Sequence, residues 1–210
     1  MRKLLAIAAI LTSMVFGASA QNIDFYFELI PEAQLPHLKP DLRKGMVGLY
    51  QLGQPARVPN MLGGTCMLDT LSTDFLSMHT TNVSTLSIKM FENKADTTSI
   101  LAVVHTVQAA GTFDSTISFF TNTWSLLPTS RFIDLPTVKD FYLSNDKVSL
   151  DEFSRFCIPL LICYKLEDDK IIATIDPEKY LPEEVFKQIA PALKPQPITY
   201  KWNGSRYVCE

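Results

Sequence analysis

The sequence predicts an α+β fold with N-terminal helices, an antiparallel β-meander, short helices and a C-terminal β-hairpin, and three observations carry that prediction. Leu38, Leu42, Met46 and Leu49 or Tyr50 recur at three- and four-residue spacing, the period of one helix face. Between Thr65 and Leu127 the period changes to two, so apolar and polar side chains fall on opposite faces of successive strands. Near the C-terminus Asn203-Gly204 separates two alternating runs, the strongest short-range hairpin signal in the chain.

The helical pattern extends from Ile23 to Leu52, with Pro36 and Pro40 suited to first-turn positions and Gly53 to a C-terminal stop. From Leu52 to Gly64, glycine, proline and asparagine concentrate, which predicts a loop. In the strand region Leu76 and Met78 alternate with Ser77 and His79, and Leu86, Ile88 and Met90 alternate with Ser87 and Lys89. Ile100 to Val107 is almost wholly apolar and β-branched, as a central strand covered on both faces requires. Ala110-Gly111 offers a tight turn into Thr112 to Thr123, where Phe113, Ile117 and Phe119 share a face.

Pro128 to Lys147 has no clean period. Ser149-Leu150-Asp151-Glu152 has the form of a capping box and predicts a short helix, which Pro159 ends. Leu160 to Leu166 and Lys170 to Ile175, joined by Glu167-Asp168-Asp169, predict a hairpin, and Pro182-Glu183-Glu184 opens a second short helix. A two-residue type I′ turn at Asn203-Gly204 sets Tyr200 opposite Tyr207 and Lys201 opposite Arg206. Ile198, Tyr200, Trp202, Tyr207 and Cys209 then share the buried face. On the outer face Lys201 and Arg206 repel unless an acid such as Glu167, Asp168, Asp169 or Asp176 lies beside them; with none, the pair is a candidate contact for an anionic ligand.

Residues 1–20 have the composition of a secretory signal peptide: Arg2 and Lys3, an apolar run from Leu4 to Phe16, and Ala18-Ser19-Ala20 as the cleavage site. The expectation is a signal peptide over 1–20, cleaved after Ala20, and a single exported α+β domain over 21–210, periplasmic or secreted. The apolar run is shorter than the ~20 residues that span a bilayer, and no later segment approaches that length, so no transmembrane span is expected after cleavage. Cleavage leaves 17 basic against 22 acidic residues, a balance that excludes the phosphate attraction of a nucleic-acid binder.

Cys66, Cys157, Cys163 and Cys209 are all in the mature region, and an even number in an oxidising compartment permits disulfides. Extended chain between Cys157 and Cys163 would hold them ~20 Å apart, too far to bridge. If oxidised, each must therefore find Cys66 or Cys209; four buried free thiols are the alternative.

The three histidines, His37, His79 and His105, lack the surroundings of a catalytic motif: no serine sits in a G-x-S-x-G elbow, and no H-E-x-x-H or C-x-x-C spacing occurs. The adjacent acids Asp151-Glu152, Asp168-Asp169 and Glu183-Glu184 fall at helix starts or turns, where capping accounts for them. Gly45-Met46-Val47-Gly48 lies within a helical pattern and Gly63-Gly64 opens a strand, so neither cradles phosphate. No catalytic residue, cofactor or metal is predicted.

Leu29-Ile30-Pro31 through Leu35-Pro36-His37-Leu38, the Leu62-Gly63-Gly64 loop, Thr112 to Leu127 ending in Trp124-Ser125-Leu126-Leu127-Pro128, and Leu193-Lys194-Pro195-Gln196-Pro197-Ile198-Thr199-Tyr200-Lys201-Trp202-Asn203-Gly204 together resemble a family of small secreted proteins of unknown function from Bacteroidales-type bacteria. The resemblance covers nearly the whole mature chain and brings no catalytic motif. It implies export across the inner membrane of a Gram-negative cell. It also implies that Asp69-Thr70-Leu71, Asp96-Thr97-Thr98 and Asp114-Ser115-Thr116 match an O-glycosylation pattern, with Thr70, Thr97 and Ser115 as acceptors.

The expected function is that of a non-catalytic exported binding or accessory protein of the periplasm or cell surface, its partner an envelope protein or glycan. A hydrolase assembled from distant residues is the first alternative, with His79 or His105 as base and a carboxylate from Asp168-Asp169. A structural envelope component, expected to oligomerise, is the second.

Overall fold

The computed structural model describes residues 22–92, 98–109 and 111–210, and the predictions that concern the leader, Gln21, Thr97 and Ala110 lie outside the described residues. The helical stretch from Ile23 to Leu52 holds two helices, α1 (Ile23–Glu28) and α2 (Pro40–Gln51). The chain between them is a series of turns, because Pro31 and Pro36 withhold the amides that a continuous helix needs. Pro40 is the first residue of α2, and Gly53, at φ +67°, follows its end.

Seven strands form one antiparallel sheet in consecutive order: β1 (Arg57–Pro59), β2 (Thr65–Leu71), β3 (Phe75–Thr81), β4 (Ser84–Glu92), β5 (Ser99–Ala109), β6 (Thr112–Thr121) and β7 (Leu126–Leu127). The meander is as expected, except that β1 lies inside the predicted loop; three residues are too few to show a period. Gly111, at φ +83°, lies in the β5–β6 turn.

Beyond two short 3₁₀ turns, helix α3 (Leu150–Phe156) starts at the expected capping box: the Glu152 amide donates to Ser149 Oγ at 3.3 Å and the Ser149 amide to Glu152 Oε2 at 3.0 Å. Strands β8 (Cys163–Glu167), β9 (Lys170–Thr174), β10 (Ile198–Trp202) and β11 (Tyr207–Cys209) make a second antiparallel sheet, and α4 (Glu183–Ile189) lies in the β9–β10 connection.

Because β5 is apolar on both sides, the large sheet has two apolar faces, one packed by the helices and the other covered in part by the small sheet. Ile23, Tyr26 and Phe27 of α1 and Met46 and Val47 of α2 pack on Leu68, Leu76, Met78, Leu86, Ile88, Leu101 and Val103. The opposite face, with Ile100, Ala102, Val104, Ile117 and Phe119, meets Tyr164, Leu166, Ile171, Ala173, Tyr200 and Tyr207 of the small sheet. The architecture is thus helices, large sheet, small sheet, with a satellite core of Phe153, Cys157 and Ile189 beneath α3 and α4. Each fully buried aliphatic or aromatic side chain contributes about 1.5–3 kcal/mol.

The closing hairpin has a different register from the one expected. Trp202 pairs with Tyr207, Lys201 with Val208 and Tyr200 with Cys209, around a loop of Asn203 to Arg206. Asn203 causes the change: its Oδ1 accepts the amides of Ser205 and Arg206 at 3.0 and 2.9 Å, so its side chain organises a longer loop. A shift of two residues preserves the faces. Tyr200 and Tyr207 are buried, Trp202 is half-buried with its ring 4.9 Å from that of Phe91, and Cys209 is exposed, contrary to expectation.

Candidate functional site

The small sheet covers only part of the face on which it packs, and the uncovered part forms a groove. Strand β8 is an edge strand and crosses β4, β5 and β6. Ile162 and Ser115 hold it there. The Ser115 amide donates to the Ile162 carbonyl at 2.7 Å, the Ile162 amide to Asp114 Oδ1 at 3.3 Å, and the Tyr164 amide to Ser115 Oγ at 3.2 Å. Thr106 Oγ1 lies 2.8 Å from the same Ser115 oxygen.

Beside this junction lies a groove of about 500 Å³, with the five consecutive residues of β8 as its wall and Ser77, Thr85, Ser87 and Thr106 on its floor. Phe75 and Phe113 complete the lining, and Phe113 is 47% exposed. A cleft of about 320 Å³ shares Phe75, Leu166 and Glu167 with it and adds Asp74, Lys89 and Asp168. Lys89 Nζ is neutralised by Asp74 Oδ2 at 2.8 Å, and Lys165 pairs with Glu167. Burial pushes the Tyr164 phenol up to about 12 and raises the Cys163 thiol, so both groups bordering the groove are neutral at pH 7. The chemistry on offer is therefore that of hydroxyls, aromatic surface and backbone amides.

Histidine and carboxylate do meet, but through residues that were not paired in the sequence. His79 Nδ1 lies 2.7 Å from Asp69 Oδ2, and both side chains are open to solvent. The β-bulge between Leu68 and Thr70 brings the carboxylate there, since the unpaired residue in a bulge is re-aimed. His79 is the cross-strand partner of Thr85, so the pair stands at the margin of the groove. The Asp168-Asp169 turn does not take part. His105 is partly buried on β5, and desolvation holds its imidazole below the ordinary value. His37 lies in the turns before α2.

The remaining candidate residues are dispersed. All four cysteines are free: Cys66 and Cys157 are buried in different cores, Cys163 opens β8 and Cys209 is exposed. The cystine pairings considered from sequence are not formed. Lys201 has Lys170 and Val208 as cross-strand neighbours rather than Arg206. Acids meet both cations: Asp169 lies 3.8 Å from Lys201, and Asp134 lies 2.7 Å from Arg206. The condition for an anionic-ligand contact at Lys201 and Arg206 therefore fails. Of the expected O-glycosylation acceptors, Thr70 is exposed, whereas Ser115 is 8% exposed and its hydroxyl joins the sheets.

One buried group was not anticipated. Arg43 is fully buried, donates to the carbonyls of Leu38 at 3.1 Å and Leu35 at 3.4 Å, and reaches that of Ile30 as well. It organises the turns between α1 and α2. Its place on the apolar side of α2, among Leu42, Met46 and Val47, was the available signal.

Among the described residues no group of three or more His, Cys, Asp or Glu could hold a metal, and no helix is long and apolar enough to cross a membrane. Residues 15–207 match the family model described as "Protein of unknown function (DUF3256)". The chain belongs to this DUF3256 family. A solved structure of a domain of an uncharacterized protein from Porphyromonas gingivalis W83, a member of the Bacteroidales, is similar at TM-score 0.79 and 25% identity, covering 90% of this chain and 98% of that one. No curated protein matches the chain.

Proposed function

We propose that this DUF3256 protein is a non-catalytic recognition domain, a single exported α+β unit beginning at Gln21, that holds an envelope protein or glycan in the groove along β8. The observation that supports this reading is the groove of about 500 Å³ between the two sheets, walled by a strand edge and floored by hydroxyls. Concave sites with a few convergent polar groups are the usual seats of recognition. Filling the floor tests it. Thr85→Trp or Ser87→Trp should keep the circular dichroism spectrum and abolish capture of the native envelope partner. Leu52→Trp, at an α2 end that is 74% exposed, should leave capture unchanged. Capture by the groove-filled variants equal to that of wild type overturns the reading.

The His79–Asp69 pair favours a second reading, a hydrolase in which Asp69 orients His79 as general base toward the same groove. His79→Ala with an intact fold would then lose about a hundredfold or more in a turnover assay against envelope extracts. On the recognition reading the variant keeps its function.

A further inference from the structure

We propose that the occupant of the groove is an extended peptide segment of a partner protein, which adds as a further strand to the open edge of β8; the proposal rests on the groove reading above. The Tyr164 amide turns away from β9 to reach Ser115 Oγ at 3.2 Å, and alternation along the strand turns the Leu166 N–H and C=O to the same side. Immediately before β8, the Ile162 carbonyl already accepts one main-chain bond from the large sheet, that of the Ser115 amide at 2.7 Å. Beyond Tyr164 the edge has no backbone partner among the described residues. The Tyr164 C=O and the Leu166 N–H and C=O therefore stand at the spacing that an extended chain satisfies.

All five consecutive residues of β8 line the groove, as happens when a groove follows a strand's edge and not one of its faces. A glycan has no need of main-chain groups at strand spacing; a peptide strand does. Of the strands that end the two sheets, β1 and β11 have three residues and β7 has two, whereas β8 has five. Charge sets the partner's chemistry. Asp74 and Glu167 cancel Lys89 and Lys165, leaving Asp168 without an ion pair among the described residues. The segment that fits is extended, with small or hydroxylated side chains toward Ser77, Thr85 and Ser87, and a Lys or Arg toward Asp168.

A random dodecapeptide display library selected on the folded protein, with the Thr85→Trp protein as counter-target, tests the proposal. Peptides of that pattern should be enriched, and their synthetic versions should bind wild type about tenfold or more tighter than the variant. Backbone N-methylation at alternate residues should abolish binding in one phase and spare it in the other. No enrichment, or binding indifferent to that phase, overturns strand addition. Ser87→Trp supplies the counter-target if Thr85→Trp does not fold. Chito-oligosaccharide binding that the tryptophan variants abolish, without peptide binding, overturns the peptide inference and leaves the groove reading standing. So does dimerisation of the protein through the groove, seen by light scattering. Peptide binding that survives both tryptophans overturns inference and reading together.

Discussion

The amide of Tyr164 donates to Ser115 Oγ at 3.2 Å and so joins the edge strand of the small sheet to β6 of the large one. Ser115 is 8% exposed, and water cannot readily replace it as acceptor. Ser115→Ala leaves the Tyr164 amide and the Thr106 hydroxyl without this partner, so a loss of about 1–3 kcal/mol is expected in urea denaturation. Peptide mapping of native protein by mass spectrometry should also find Ser115 unmodified.

Arg43 is expected to be intolerant even of lysine. The guanidinium serves carbonyls of Ile30, Leu35 and Leu38 at once, which one ammonium cannot span. Arg43→Lys and Arg43→Met should each cost about 2–4 kcal/mol, since buried carbonyls lose their donor. Urea midpoints measure the loss.

His105 gives stability a dependence on pH whose sign is fixed by burial. Desolvation lowers its folded-state pKa below the ordinary 6.5, so near and below that pH the unfolded chain binds more protons than the folded one. Its contribution is complete above the unfolded pKa and is lost as pH falls through it toward the folded value. His105→Gln should flatten the fall in stability between about pH 7 and 5, measured as urea midpoints across that range.

Thiol chemistry separates the four cysteines. Cys209 is exposed, whereas burial raises the thiols of Cys66 and Cys163 and pushes that of Cys157 to about 11. An aromatic disulfide reagent at pH 8 should label Cys209 first and leave Cys66 and Cys157 unreacted until urea is added. Titration in urea without reductant should then count all four thiols.

Much of the fold was legible because local signals and tertiary packing agree in it. Leu86, Ile88 and Met90 alternate because one face meets the helices, and Ser149 with Glu152 announces α3 within four residues. The hairpin register was not legible, because Asn203-Gly204 suits both a type I′ turn and the longer loop that Asn203 Oδ1 stabilises. The candidate site was less legible still. Ser77, Thr85, Ser87 and Thr106 look like the solvent face of an ordinary meander until β8 lies beside them. That placement depends on contacts between Asp114-Ser115 and Ile162 to Tyr164, nearly fifty residues apart, which no period reveals. Asp114-Ser115 matched a glycosylation pattern in the sequence and is a sheet-to-sheet fastening in the fold.

The most direct test of the groove as the recognition surface is site-specific photo-crosslinking in the native envelope, with a benzophenone amino acid at Ser87 and, as control, at Leu52. Ser87 lies on the groove floor, and Leu52 is 74% exposed at the end of α2, in the helical layer. A discrete adduct from Ser87 and none from Leu52 is the predicted result. An adduct from Leu52 with none from Ser87 would contradict it.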